Sequence, residues 1–458
     1  MNILYEGNRK TNMCVETNFG RSSRVELGKV VMQGSVPGGM ICSNQISKLC
    51  TKLYNEGDVY MYDDKIPIPA LAMVDDIASI AECNSTQSLT TNIKTDTFIQ
   101  RKKLEGQTGQ GKCQWVHVGT DKCRSSYKIN GKEITQAESY KYLGDHAADG
   151  WTPLYKKRWE KAQGYCAMCL AMCTEMTLGI QLYATAKLLH ESIFVNGTLL
   201  NMETWPNCTN VRLEMFERTE QMFLRKILNA HSKTPIECLY LELGVVPLRF
   251  QLMKRRIMYL QTILQRPDGE LTKQVVLCQK ETCYKGDFYS QTKVDMEYLM
   301  INEENLLESS KDQLKNVLSK QIMKIAFDYL IEKAISHSKV HESVYTDLEG
   351  AKQFKDARFS NEVLNNLFRF RTRTFMVKNN FRNNYKNTNT LCPLCEKEND
   401  DQEHVFVCEK IVQQYGRHIL NKYTDIFSDD IDTLFNVAII LKDLVDVREQ
   451  LLSSDESQ

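Results

Sequence analysis

Several things are missing from this 458-residue sequence, and each absence narrows the reading. No stretch approaches the ~18 consecutive apolar residues of a membrane span. The start, Met1 to Lys10, is polar and carries no apolar signal core, so secretion is excluded and an intracellular place, nucleus or cytoplasm, is expected. There is no net charge: 58 basic residues balance 58 acidic ones, which excludes a uniformly basic nucleic-acid binder but not a locally basic one. Internal repeats and long low-complexity segments are absent too. The 16 cysteines of a chain without a secretory signal are then reduced thiols, some of them candidates for a metal. The sequons at Asn84, Asn196 and Asn207 become chance matches.

What is present is ordinary globular composition, 42% hydrophobic and 25% charged, in a length that fits two or three domains. Glycines cluster before residue 150. The β-type runs Ile68–Met73 and Gln114–Val118 flank a helical stretch, roughly Ser88–Glu105, which reads as α+β. From Trp151 to about Gln265 the pattern turns helical. Leu213, Phe216, Phe223, Leu224, Ile227 and Leu228 share one face, with Glu217 and Glu220 beside it. Pro267-Asp268-Gly269 is a break, and residues 295–385 read as helical again. Neutrality overall hides local imbalance. Lys355–Thr390 carries eight basic residues against two acids, and Asp425 to the end carries nine acids against two bases.

The sharpest motif is Cys392-Pro-Leu-Cys395, eight residues, His404, three residues, Cys408. A C-x2-C knuckle aims two thiolates at one point, and a His and a Cys four apart share one face of a helical turn. Three sulfurs and one nitrogen suit tetrahedral zinc, with ligand atoms expected within about 4 Å of one another. The basic segment before the knuckle, with Arg369, Arg371 and Arg373, interleaves Phe368, Phe370, Phe375, Phe381 and Tyr385. Two readings of it stand side by side. One is a nucleic-acid surface that neutralises backbone and stacks bases. The other is an amphipathic helix with its phenylalanines in a core.

A second motif is Ala70-Leu-Ala-Met-Val-Asp75-Asp76-Ile-Ala-Ser-Ile80, two carboxylates between short apolar runs. It reads as a β-hairpin with the aspartates at its turn, a place to present hard oxygen ligands to Mg²⁺. The rival pair Asp63-Asp64, beside Lys65 and Pro67, reads as loop rather than hairpin. A third motif, Gln33-Gly34-Ser35-Val-Pro37-Gly38-Gly39, reads as a glycine-rich turn before a helix. Two decoys are set aside. Gly106 to Cys113 fits G-x-x-x-x-G-K, but Cys113 replaces the Ser/Thr that holds Mg²⁺, and helix precedes strand where a P-loop needs the reverse. Cys166, Cys169 and Cys173 fall on one helical face and read as core.

Taken in order, these segments resemble the reverse transcriptase of non-LTR (LINE-type) retrotransposons. Gln33-Gly34-Ser35 looks like the palm turn lining the nascent base pair. Asp75-Asp76 looks like the paired catalytic aspartates, with Met73 where an aromatic is usual. Lys103-Leu-Glu and Lys112-Cys113 resemble the later palm segment, whose lysine, here Lys112, would be a general acid. Tyr140-Lys-Tyr142-Leu143-Gly144 looks like the primer grip. Leu199–Trp205, Thr234–Gly244 with Arg255-Arg256, and the Cys-Cys-His-Cys finger resemble the region after the palm.

The resemblance implies a partial polymerase palm, an antiparallel sheet with helices, over 1–148. A helical thumb or connection region follows over 149–268, then a helical linker ending in the basic segment over 269–385. A zinc knuckle with an acidic tail closes the chain over 386–458. It also implies Mg²⁺ at the palm, Zn²⁺ in the knuckle, RNA and DNA as partners, and no membrane. One departure weighs against catalysis. The family places its first catalytic aspartate well upstream of the Gln-Gly-Ser turn, whereas the first aspartate here is Asp58. RNA-directed DNA synthesis therefore stands beside a second reading, a non-catalytic nucleic-acid-binding remnant, which the missing aspartate favours for this chain alone. A metal-bound scaffold is a third, and the missing amino-terminal half of the element would be a partner.

Overall fold

A computed structural model describes residues 11–13, 16–17, 20–21, 25–27, 36–56, 59–68, 70–73, 76–82, 85–101, 112–119, 125–142, 145–150, 152–175, 182–205, 208, 210–336, 345, 347–348, 352–380, 389–415 and 423–455. Helix α1 (Val36–Asn55) takes Pro37, Gly38 and Gly39 into its first turn. Proline is tolerated there because the first amides of a helix have no partner inside it. The glycine pair expected in a turn thus lies within the helix, while Gln33, Gly34 and Ser35 lie outside the described residues.

The chain divides into two compact units, residues 1–155 with 268–278, and 156–267 with 279–458. The first unit is built from hairpins around two helices. β1 (Thr11–Met13) pairs with β4 (Val25–Leu27), and β2 (Glu16–Thr17) with β3 (Gly20–Arg21). β5 (Tyr60–Tyr62) pairs with β6 (Ile66–Ile68), and β7 (Leu71–Met73) with β8 (Asp76–Ala78). α2 (Thr86–Arg101) is capped by Ser85, whose hydroxyl accepts from the Ser88 amide at 3.1 Å. Short strands follow: β9 (Gln114–Trp115), β10 (Lys128–Ile129), β11 (Lys132–Glu133), β12 (Thr135–Gln136), β13 (Ser139–Tyr142) and β14 (Asp145–Ala148). Leu49 and Leu53 of α1, Ala70 and Phe98 form the core, with Cys50 and Ile77 packed against it. Asn92 of α2 holds β10 by bonding both backbone groups of Lys128, at 3.0 and 3.1 Å.

Among the described residues these strands pair only two at a time, and β9–β12 is parallel. The unit is α+β, as the sequence suggests, but the described residues do not assemble one antiparallel palm sheet.

The second unit is helical. It runs through α3 (Thr152–Glu175, from Lys156), α4 (Leu182–Leu189), a π-helical turn His190–Val195, α5 (Asn210–Ile227), α6 (Ile236–Leu243) and α7 (Leu248–Leu264). The break at Pro267-Asp268-Gly269 precedes α8 (Leu271–Thr282), which as far as Cys278 belongs to the first unit. Then come α9 (Phe288–Tyr298), α10 (Glu303–Glu308), α11 (Lys311–Ser336), α12 (Asn361–Arg371), α13 (Gln402–Val407), α14 (Glu409–Tyr415) and α15 (Ile431–Asp455). α6 ends because Gly244 takes φ +62, letting the Val245 amide reach the Tyr240 carbonyl at 3.0 Å and the Gly244 amide reach that of Leu241 at 3.3 Å. Cys166, Cys169 and Cys173 are buried on α3, as their spacing implies.

Glu217 and Glu220 are not beside the apolar face of α5 but inside it, at 4% and 0% exposure. Their charge is met there. Arg249 clamps both oxygens of Glu217, and Glu220 accepts from the Tyr240 hydroxyl at 2.7 Å and the Leu248 amide at 3.3 Å and contacts the His190 ring at 2.8 Å. No helix among the described residues is long and apolar enough to cross a membrane.

Candidate metal centre

Backbone geometry makes the knuckle before its side chains do. The isolated bridge Leu391–Asn399 brings the two ends of the turn together. The Cys392 amide donates to the Glu398 carbonyl at 2.7 Å, the Glu396 amide donates to the Cys392 carbonyl at 2.9 Å, and Glu396 takes the left-handed φ of 58° that closes the loop. α13 then starts at Gln402, capped by Asp401, whose carboxylate accepts from the His404 amide at 2.8 Å. That cap puts His404 in the first turn, and Cys408 ends the same helix with its amide on the His404 carbonyl at 2.7 Å.

The side chains converge. Cys392 Sγ lies 3.9 Å from Cys408 Sγ, and Cys395 Sγ lies 3.3 Å from His404 Nε2. One ligand atom from each of the four lies within 4.8 Å of every other, somewhat looser than the ~4 Å expected from tetrahedral bonds of ~2.3 Å. Cys392, His404 and Cys408 are buried and Cys395 is half-buried. Among the described residues no other group of three or more His, Cys, Asp or Glu could hold a metal ion.

Two features, at Cys392 and at His404, suit the cluster to a metal ion rather than to four idle buried residues, while Cys408 pulls the other way. The Cys392 thiol is held down at about 4, first by the hydrogen bond shared with Cys408 and then by the Cys395 and Leu394 amides, against the opposing pull of burial. Cys408 is pushed up by the same shared bond and by burial, while the Ile411 and Lys410 amides at the start of α14 lower it. Amides aimed at sulfur favour the anion, the form that ligates metal. Lastly, His404 Nδ1 contacts Glu398 Oε2 at 3.1 Å. A carboxylate on the outer nitrogen fixes the tautomer that leaves Nε2 for a metal. The cluster can therefore bind a metal ion through three sulfurs and one nitrogen.

The knuckle is tied to the segment before it and to the last helix. The Lys378 amide donates to Asp400 Oδ2 at 2.8 Å, and the Lys378 ammonium reaches the Leu391 carbonyl at 3.0 Å. Asn380 bonds Gln402 Oε1 at 2.6 Å. Arg448 of α15 grips both oxygens of buried Asp400, at 2.8 and 3.0 Å. The knuckle's own charge is acidic, with six carboxylates against two lysines over residues 391–410.

The other sequence-derived candidates are placed as follows. In the basic segment Phe368, Phe370 and Phe375 are buried, with Phe370 and Phe375 centroids 4.4 Å apart, so of the two open readings the structure takes the core for these three rings. Arg371 is buried, with its guanidinium over the Tyr345 ring and 3.8 Å from Glu242. A nucleic-acid strand does not reach it there. Arg369 is half-buried, its guanidinium on the Asn229 carbonyl at 3.3 Å, and Arg373 is exposed. Phe381 and Tyr385 lie outside the described residues.

In the first unit, Met73 pairs with Asp76, so the expected hairpin is present, with Asp76 exposed at the head of its return strand. Asp75 lies outside the described residues. Asp63 and Asp64 also sit in a hairpin turn, at φ 51° and 54° between paired Tyr62 and Ile66, which corrects their reading as loop. Lys112 is exposed in a turn before β9, and its carbonyl accepts from the Tyr140 hydroxyl at 2.6 Å. Tyr142 donates to the Leu71 carbonyl at 3.2 Å, which joins β13 to the hairpin of Asp76. Burial and then the charge of Asp76 raise the Tyr142 hydroxyl, and burial, Cys113 and Asp76 raise that of Tyr140. Leu143 and Gly144 lie outside the described residues. The chain matches no family of known proteins, no curated protein and no solved structure.

Proposed function

We propose that this chain is a portion of a LINE-type reverse transcriptase that holds zinc in its carboxy-terminal finger, binds RNA or DNA, and does not synthesise DNA by itself. The observation that carries the reading is the Cys392–Cys395–His404–Cys408 centre, with amides aimed at the Cys392 sulfur and its Glu398-supported histidine. Three thiolates and an imidazole in a closed shell suit Zn²⁺ over the harder divalent ions, and four filled positions make the ion structural rather than catalytic. Its work is to hold the 391–408 turn against α12 and α15.

The proximity of Asp76, Tyr140 and Tyr142 supports the palm part of the reading, because it brings the segments that resemble the aspartate hairpin and the primer grip to one place. The non-catalytic part of the reading rests on the sequence, which has no aspartate upstream of Gln33-Gly34-Ser35, where the resemblance places the first catalytic one. Phosphoryl transfer between two metal ions needs carboxylates from more than one element. Asp76 belongs to no metal-binding group among the described residues, so magnesium is not part of the proposal.

Primer extension on an RNA template, run beside a binding assay with the same template, tests the reading. Template binding without nucleotide incorporation is the expected result. Incorporation that Asp75→Ala abolishes would overturn the non-catalytic part, and absence of any binding would overturn the nucleic-acid part.

A further inference from the structure

The second unit contains a cleft of about 540 Å³ whose walls come from sequence-distant elements: α4 and the π-helical turn, α7, α11, and the short 3-10 turn that ends at Lys355. Its charged groups are Lys187, Lys254, Arg255 and Lys355 against the single carboxylate of Glu191. We infer that this cleft is a phosphate-binding site and, resting on the reading of the chain as a nucleic-acid binder, that its occupant is the backbone of a polynucleotide strand.

The cations are aimed by neutral acceptors. The Lys187 ammonium bonds the Gly244 carbonyl at 2.8 Å, which the left-handed end of α6 presents to the cleft. The Lys254 ammonium bonds the Ser319 hydroxyl at 2.7 Å, and the Arg255 guanidinium bonds the Asn196 side-chain carbonyl. The bonds of Lys254 and Arg255 orient a charge without cancelling it. Lys254 and Arg255 are also half-buried, where a cation loses part of its hydration. Burial and then the neighbouring charge of Lys315 pull the Lys254 ammonium below its ordinary value, and burial does the same to Arg255 against the opposing charge of Glu203. A phosphate entering the cleft relieves that cost and accepts the remaining donors. A concave wall of one sign also focuses the field on an approaching anion. The finger, with its acidic surface, is left with the structural task.

The full zinc-bound chain is titrated into a fluorescein-labelled single-stranded RNA across a series of KCl concentrations, and anisotropy is read. Three proteins are compared: the natural sequence, a Lys254→Gln/Arg255→Gln double variant, and Lys355→Glu, an exposed charge reversal that leaves packing alone. Zinc content and melting midpoint establish that each is folded. The double variant is expected to bind on the order of tenfold more weakly and to flatten the slope of log K against log salt by ~1.4, two contacts at ~0.7 each on a single strand. Lys355→Glu is expected to weaken binding in the same sense. If the natural chain binds RNA and neither variant differs from it, the cleft assignment is wrong while the nucleic-acid reading survives. If the natural chain does not bind RNA, both the reading and the polynucleotide occupant fall. A melting shift with inorganic pyrophosphate, present in the natural chain and lost in the double variant, would then reassign the cleft to a small phosphate ligand.

Discussion

Arg448→Met should unlock the metal-binding turn from the last helix. Arg448 lies on α15 with 4% of its surface exposed, and its guanidinium makes two bonds, of 2.8 and 3.0 Å, to the Asp400 carboxylate. Charge-assisted bonds contribute ~1.5–3 kcal/mol each, so the pair is worth ~3–6 kcal/mol gross. Two facts pull the net figure to the lower end. Asp400 keeps the Lys378 amide at 2.8 Å after the arginine is gone, and Arg448 Nη1 already lacks a hydrogen-bond partner. The loss should therefore be about 3 kcal/mol, the low end of the range for removing one member of a buried pair. Urea unfolding followed by far-ultraviolet circular dichroism, with zinc saturating, measures it as a shift in midpoint at unchanged slope. The Asp400→Asn/Arg448→Met double variant removes both charges and should recover all but about 1 kcal/mol. A single variant within about 1 kcal/mol of the natural chain, or a double variant as unstable as the single, would refute the reasoning.

Three further outcomes follow from the same structure. Glu398→Gln should weaken zinc affinity about tenfold, the low end of the 10–100-fold range for such supporting groups, because Glu398 is 69% exposed; competition against a chromophoric chelator reads it, and unchanged affinity would remove the carboxylate's role. Gly244→Ala should destabilise the second unit by ~1 kcal/mol, since a Cβ is strained at φ +62 and the α6 terminus depends on that conformation; a thermal melt without a shift would count against it. Asp295 is raised above the ordinary carboxylate range by burial, against the pull of Arg256, so the folded chain holds its proton more tightly than the unfolded chain. Its contribution then falls as pH rises through the window above ~4, and Asp295→Asn should flatten that part of the stability profile; an unchanged profile would show that the group does not titrate there.

What the sequence made legible depended on whether the signal was local. The four metal ligands were readable because three cysteines and a histidine at those spacings have few other reasons to occur together. The aspartate hairpin was readable from its apolar flanks. Asp63-Asp64 was misjudged because Pro67 and Lys65 look like loop residues. Pro67 instead pairs with Met61 in a two-stranded ribbon, where a missing amide is tolerated, and aspartate is among the residues that accept positive φ. The arginine-phenylalanine segment was undecidable from within, since the same residues build a stacking surface or a helix core. Its resolution needed Glu242, a partner far away in sequence that takes up Arg371. Glu217 and Glu220 read as lying beside the apolar face for the same reason, as Arg249, His190 and Tyr240 reach them only through tertiary packing. The basic cleft leaves no trace in any single segment, because its four cations come from three sequence-distant elements, α4, α7 and the 3-10 turn that ends at Lys355.

Cobalt substitution of the purified, chelator-stripped protein tests the metal centre most directly. Co²⁺ in a site of three thiolates and one imidazole should bind one equivalent per chain, show the intense visible absorption of tetrahedral geometry and sulfur-to-metal charge transfer, and be displaced by one equivalent of Zn²⁺. Cys395→Ser should weaken the charge-transfer bands by one thiolate's share. A pale, octahedral Co²⁺ spectrum, or no stoichiometric uptake by a folded chain, would contradict the account.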